Sequence, residues 1–176
     1  MKHFLIVVDM QKDFVNGALG SAMAEAIVPA AVRTIEAFEG ECVATFDTHF
    51  AEYLQTAEGK KLPVPHCIKG TDGWMLDTRI AAALEAKGFT PVEKHTFGST
   101  ALPELLREKA AGETFDVELI GLCTDICVIS NALYLKANFP ECDIRVDAAC
   151  CAGVSEQTHK AALDAMRCCQ IDIING

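Results

Sequence analysis

Several features are missing from this sequence, and each absence removes a class of function. No apolar run approaches the ~20 residues that a membrane-spanning helix needs. The apolar start, Met1-Lys2-His3-Phe4-Leu5-Ile6-Val7-Val8-Asp9, is too short for a secretory signal and lacks a small-residue cleavage site. It reads instead as a first buried strand of a cytoplasmic protein. There is no C-x-x-C pair, which argues against zinc ribbons and thioredoxin-type redox sites. No G-x-G-x-x-G follows the first strand and no G-x-x-x-x-G-K-[ST] occurs anywhere, so neither common nucleotide-binding loop is present. Basic residues are few: 15 Lys and Arg stand against 25 Asp and Glu, a formal net charge of −10. Nucleic acid and anionic membrane would both repel such a chain. Repeats, low-complexity tracts and linkers are also lacking.

What is present fits one domain over residues 1–176, enough chain for a well-buried core. Nine cysteines are scattered through it, including the neighbours Cys150-Cys151 and Cys168-Cys169. Adjacent cysteines rarely meet disulfide geometry, so most of these thiols read as small core residues kept reduced. A reactive cysteine has to be identified by its setting.

Short β-rich runs alternate with helical patterns along the whole chain. Strands are expected at Phe4–Val8, Cys42–Phe46, Phe89–Glu93, Val117–Gly121, Ile144–Val146 and Ile171–Ile174. Helices are expected at Met23–Phe38, Leu76–Ala86, Pro103–Ala110, Ile126–Ala137 and Glu156–Cys169, the last capped by Ser155. This alternation implies a three-layer α/β/α fold, Rossmann-like, with a mostly parallel sheet covered on both faces. One long irregular stretch runs from Asp47 to about Trp74, and loops of that length in compact domains are usually functional.

Ligands of such folds bind beyond the carboxyl ends of the strands. Three chemically capable residues fall there. Asp9 ends the first strand, Lys94 follows the third, and Cys127 lies just past the fourth, near a helix start. A helix N-terminus favours thiolate over thiol and offers backbone N–H groups to an oxyanion. A carboxylate can take the thiol proton and pass it to a departing amine, and a lysine can keep that carboxylate ionised. Taken singly, Asp9 also reads as a turn residue, Lys94 as a surface charge and Cys127 as a core thiol. Their convergence on one sheet edge points to catalysis.

The segments Val8-Asp9-Met10-Gln11-Lys12-Asp13-Phe14, Lys94-His95-Thr96-Phe97 and Gly121-Leu122-Cys123-Thr124-Asp125-Ile126-Cys127-Val128 resemble the nicotinamidase and isochorismatase-like family of cysteine hydrolases. The resemblance implies a six-stranded parallel sheet and an Asp–Lys–Cys triad at Asp9, Lys94 and Cys127. It also implies a cis peptide between Leu122 and Cys123, with the N–H groups of Cys123 and Cys127 forming an oxyanion hole. Members that cleave a vinyl ether lack a cysteine at the position of Cys127, so its presence here implies an amidase.

The segments Asp47-Thr48-His49 and Pro65-His66-Cys67 look like the metal-binding segments of nicotinamidases, and imply one divalent ion (Zn, Fe or Mn). Glu58 is the expected further ligand, with Glu52 behind it, while Cys67 should point away. The competing picture is an Asp47 and His49 that only hydrogen-bond the loop, with Glu58 solvated. Phe14 matches an aromatic of the substrate pocket. Pro63 stands where these enzymes commonly carry a second aromatic, which leaves Trp74 or Tyr53 to substitute. His3, His95 and His159 have no ligand-like setting, and His159 reads as a surface residue. Hydrolysis of nicotinamide to nicotinate and ammonia through a thioester is the leading expectation. A carbamoyl or ureido amide and a non-catalytic binding role are the alternatives. Homo-oligomers are expected by the same resemblance.

Overall fold

The run Phe4–Val8 is wholly buried, as a strand covered on both faces must be. In the computed structural model, which describes residues 1–176, it forms the inner strand β1 (Lys2–Val8). The other strands are β2 (Glu41–Asp47), β3 (Phe89–Lys94), β4 (Phe115–Leu122), β5 (Ile144–Ala152) and β6 (Asp172–Ile174). They pair in the order β3-β2-β1-β4-β5-β6, every pair parallel.

The helices are α1 (Lys12–Val15), α2 (Ala22–Ala37), α3 (Ala57–Lys61), α4 (Thr78–Lys87), α5 (Leu102–Ala110), α6 (Ile129–Asn138) and α7 (Glu156–Cys168). Side chains alternate along β1. Phe4, Ile6 and Val8 join a core with Leu106 of α5, Leu135 of α6 and Met166 of α7. Leu5 and Val7 point the other way, to Val28 of α2 and Ile80 of α4. The result is the three-layer arrangement with six strands that the pattern implied. No helix is long and apolar enough to cross a membrane. Ser155 caps α7 as expected, its hydroxyl accepting from Thr158 N–H.

Two departures bear on function. The expected helix from Ile126 begins instead as a π-helical turn, Thr124–Val128, and becomes α-helical only at Ile129. The segment after β2 is not wholly irregular. It holds 3-10 turns at Tyr53–Gln55 and Asp72–Trp74, with α3 between them.

The strand order also locates the site. From β1 the chain steps outward through β2 to β3, then returns to β4 beside β1 and steps the other way. The carboxyl ends of β1 and β4 therefore flank the switch point, where such sheets form a crevice.

Candidate active site

The carboxyl ends of β1 and β4 are held unusually close. Gly121 on β4 has φ 121°, and a Cβ placed there would lie 2.1 Å from the Val8 carbonyl oxygen. Only glycine accepts both that backbone angle and that approach. One residue on, the Leu122–Cys123 peptide is cis, as the resemblance implied. Asp9 leaves β1 in a left-handed conformation, φ 48°, which aspartate tolerates better than most residues.

Asp9 is fully buried, and Lys94, the last residue of β3, nearly so. Lys94 Nζ lies 2.7 Å from Asp9 Oδ2 and 3.2 Å from Asp47 Oδ1. It also donates to the Thr96 carbonyl at 3.2 Å and approaches Cys127 Sγ at 3.5 Å. The three sequence-predicted residues thus meet around one ammonium group. The hydroxyl of Thr45 donates to Asp9 Oδ1 at 2.6 Å, fixing the carboxylate from its other side.

The electrostatics differ in one respect from the expectation of a thiolate. Burial pushes the Cys127 thiol well above its ordinary value, the Asp9 carboxylate adds to this, and Lys94 only partly opposes it. Burial likewise raises the Asp9 carboxyl, against the pull of Lys94 and Thr45. Burial would deprotonate Lys94, but Asp9, Cys127 and Asp47 overcome it and hold the ammonium strongly protonated. The Cys127 thiol is thereby favoured over its thiolate, beside a carboxyl raised by the same burial. That arrangement suits proton transfer at the moment of attack.

A second cluster adjoins the first. Asp47 and His49 leave the end of β2, α3 brings Glu58, and His66 returns through the loop. Their ligand atoms all lie within 4.8 Å of one another. His49 Nε2 is 3.0 Å from Asp47 Oδ2 and 3.6 Å from Glu58 Oε1, and His66 Nε2 is 3.6 Å from each. An ion bound at about 2.1 Å sets neighbouring donors about 3.0–3.4 Å apart in octahedral or tetrahedral shells. The observed 3.0 and 3.6 Å spacings lie at or slightly above that range, so these four donors need only a small inward shift to close on such an ion. Two further observations agree. His49 Nε2 is buried and, although 3.0 Å from Asp47 Oδ2, is not aligned to hydrogen-bond it, and His66 Nδ1 pairs with the Val64 carbonyl at 2.8 Å, which leaves Nε2 facing the cluster.

Local sequence explains the convergence. Thr56 caps α3 and places Glu58 in its first turn. A Cβ on Gly59 would lie 2.0 Å from the Tyr53 carbonyl oxygen, so glycine lets α3 pack down on the 3-10 turn. Tyr53 stands behind the imidazoles, its ring centroid 4.7 Å from His49 and 5.0 Å from His66. Glu52 takes no part in the cluster. Burial works against an ionised Asp47, yet His49, His66 and Lys94 hold its carboxyl far below the usual range.

Both clusters border one cavity of about 930 Å³, lined by Phe14, Glu58, Phe97, Cys123 and Cys127 among others. Phe14 lies edge-on to His66 with centroids 5.4 Å apart. Trp74 requires a correction, because it is not among the lining residues. Its indole N–H donates to Thr48 Oγ1 at 2.9 Å, and its ring packs against Phe46, which turns it away from the cavity. Tyr53 does not line the cavity either, and Pro63 is exposed outside it. Phe97 supplies the second aromatic instead, from the segment after Lys94.

Other contacts were not anticipated. His159 is half-buried, not a surface residue, and shares a 2.7 Å hydrogen bond with Thr124 Oγ1. Asp125 accepts from the Val154 N–H, so Thr124 and Asp125 both tie the turn bearing Cys127 to the start of α7. Thr45 had a signal in the sequence. It stands two residues before Asp47 on the same strand, so both side chains point to one face.

Comparison with known proteins agrees with this geometry. The chain is 30% identical to the nicotinamidase/pyrazinamidase of Mycobacterium tuberculosis over 187 aligned residues, covering 97% of each protein. It superposes on the nicotinamidase/pyrazinamidase of Bacillus subtilis with a TM-score of 0.86 and 28% identity, over 98% of this chain and 99% of that one. The N-carbamoylsarcosine amidase of Thermoplasma acidophilum is also similar, with a TM-score of 0.78 and 27% identity over the whole of both chains. The isochorismatase domain model matches residues 3–175. This chain belongs to the isochorismatase domain family.

Proposed function

We propose that the protein is a cysteine amidohydrolase of nicotinamidase type, converting nicotinamide and water to nicotinate and ammonia. One observation carries the reading. Lys94 Nζ stands 2.7 Å from Asp9 and 3.5 Å from Cys127 Sγ, with Cys127 on the wall of a cavity large enough for the substrate.

The chemistry follows from that contact. Asp9 takes the Cys127 proton as sulfur attacks the amide carbon, and Lys94 balances the carboxylate until transfer. The backbone N–H groups of Cys123 and Cys127 stabilise the oxygen of the tetrahedral adduct. Asp9 returns its proton to the amine nitrogen, the C–N bond breaks, and ammonia leaves a thioester on Cys127. Asp9 then accepts a proton from water as it attacks the thioester. The C–S bond then breaks, Asp9 returns this proton to the Cys127 sulfur, and the acid departs.

Asp47, His49, Glu58 and His66 would hold one divalent ion, which would supply Lewis acidity at that wall of the cavity. Phe14, edge-on to His66, lines the same side of the cavity.

A carbamoyl or ureido amide is the second reading. It is favoured by the similarity to N-carbamoylsarcosine amidase and by Pro63 standing where nicotinamidases commonly carry an aromatic. Ammonia release measured on nicotinamide, pyrazinamide and a set of ureides separates the two. The nicotinamidase reading expects the highest kcat/KM with the pyridine carboxamide, and Cys127→Ala to abolish release from every active compound. Release that persists in Cys127→Ala refutes both.

A further inference from the structure

Asn131, in the first turn of α6, is completely buried and uses its whole amide group. Its Oδ1 accepts from the Ser99 N–H at 2.8 Å. Its Nδ2 donates to the Cys127 carbonyl at 2.8 Å and to the Phe97 carbonyl at 3.3 Å. One side chain therefore joins two pieces of chain that carry different parts of the triad. The first is the π-helical turn bearing Cys127. The second is the strap from Thr96 to Ser99, whose Thr96 carbonyl accepts from Lys94 Nζ.

From this geometry we infer that Asn131 is a positioning residue: it sets the Cys127 turn against the strap that anchors Lys94, and so fixes the Lys94–Cys127 contact. The inference rests on the amidase reading only for its kinetic arm. Asn131 touches neither substrate nor the reacting atoms. Its three hydrogen bonds also define the amide's orientation, because a flipped amide would oppose N–H to N–H at Ser99 and oxygen to oxygen at two carbonyls.

The test compares two substitutions of equal shape. In Asn131→Thr the hydroxyl can still donate to the carbonyl four residues back, that of Cys127, but cannot reach the strap. In Asn131→Val neither link survives. Two quantities are read on the full-length protein. One is kcat and KM for nicotinamide. The other is the second-order rate of Cys127 carbamidomethylation by iodoacetamide, followed by peptide mass spectrometry, with exposed Cys168 and Cys169 as internal references.

A displacement of this kind costs kcat about 10- to 100-fold in the valine variant, with KM within about twofold. Alkylation of Cys127 changes in the same order, native, threonine, valine, while the reference thiols react at unchanged rates. A purely structural Asn131 would lower the melting temperature and leave kcat and the Cys127 rate at native values in both variants, which overturns the inference. Equal impairment of the two variants also overturns it, because the retained hydroxyl would then do nothing. Should Asn131→Val not fold, Asn131→Thr against native decides by the same two readouts. Alkylation needs no substrate, so failure of the nicotinamidase reading leaves that arm intact.

Discussion

Replacing Lys94 by methionine isolates the electrostatic centre of the molecule. The side chain keeps its approximate length and loses its charge in a place with almost no water: Lys94 is 3% exposed, Asp9 0% and Asp47 4%. Removing the ammonium leaves the Asp9 carboxylate, held by the Thr45 hydroxyl, without its charged partner, and takes a 3.2 Å partner from Asp47. Breaking a buried pair by deleting one partner costs about 3–5 kcal/mol, a large part of a domain's total of about 5–15. The loss should depend on pH, with a sign that follows from Asp9. Its folded carboxyl is already raised by burial, and without Lys94 it rises further. A carboxyl with a raised folded value disfavours the fold as pH climbs from its unfolded value toward its folded one, and costs nothing below both. The Lys94→Met deficit is therefore largest above neutrality and shrinks toward pH 5. Urea unfolding of native and variant protein at pH 5 and pH 8 measures it. The double variant Asp9→Asn/Lys94→Met should recover part of the deficit at pH 8. A deficit under about 1 kcal/mol at pH 8, or one that grows on acidification, would refute the reasoning.

Three further outcomes are expected. Thr45→Val removes the 2.6 Å hydrogen bond that lowers the Asp9 carboxyl, so the acidic limb of the kcat/KM profile should move to higher pH. A titration of rate against pH checks it. His49→Ala should abolish the retention of about one divalent ion per chain measured by mass spectrometry of the dialysed protein. Chelation of the native protein should lower its melting temperature until metal is returned. Gly121→Ala forces a Cβ to within 2.1 Å of the Val8 carbonyl at a φ of 121°, and should cost at least about 3 kcal/mol in denaturant unfolding.

Much of the fold was readable because its signals are local. A strand buried on both faces must be apolar throughout, so Phe4–Val8 declared itself, and strand–helix alternation leaves little choice but a parallel sheet. Asp9, Lys94 and Cys127 were readable because strand ends mark the crevice of such a sheet. Glu58, not Glu52, is the glutamate brought to the cluster, and Thr56 capping α3 is the physical reason. Trp74 was misplaced because the direction of a side chain in a long loop depends on partners distant in sequence, here Thr48 and Phe46. His159 was misread for the same reason, since its partner Thr124 lies on another element. The protonation of Cys127 could not be foreseen from its place at a helix start. It depends on how much water the completed fold removes and on how near Asp9 then lies.

The family came from the resemblance of three short segments, while composition and period determined on their own the layered parallel architecture and the residues at the strand ends. These depend on short-range steric and hydrophobic rules that act along the chain. Only the tertiary structure decided which side chains meet around Lys94, which four donors face one another, and where the dry interior sets each proton. Those are matters of distance and solvent exclusion between residues far apart in sequence, and neither quantity exists before the chain has folded.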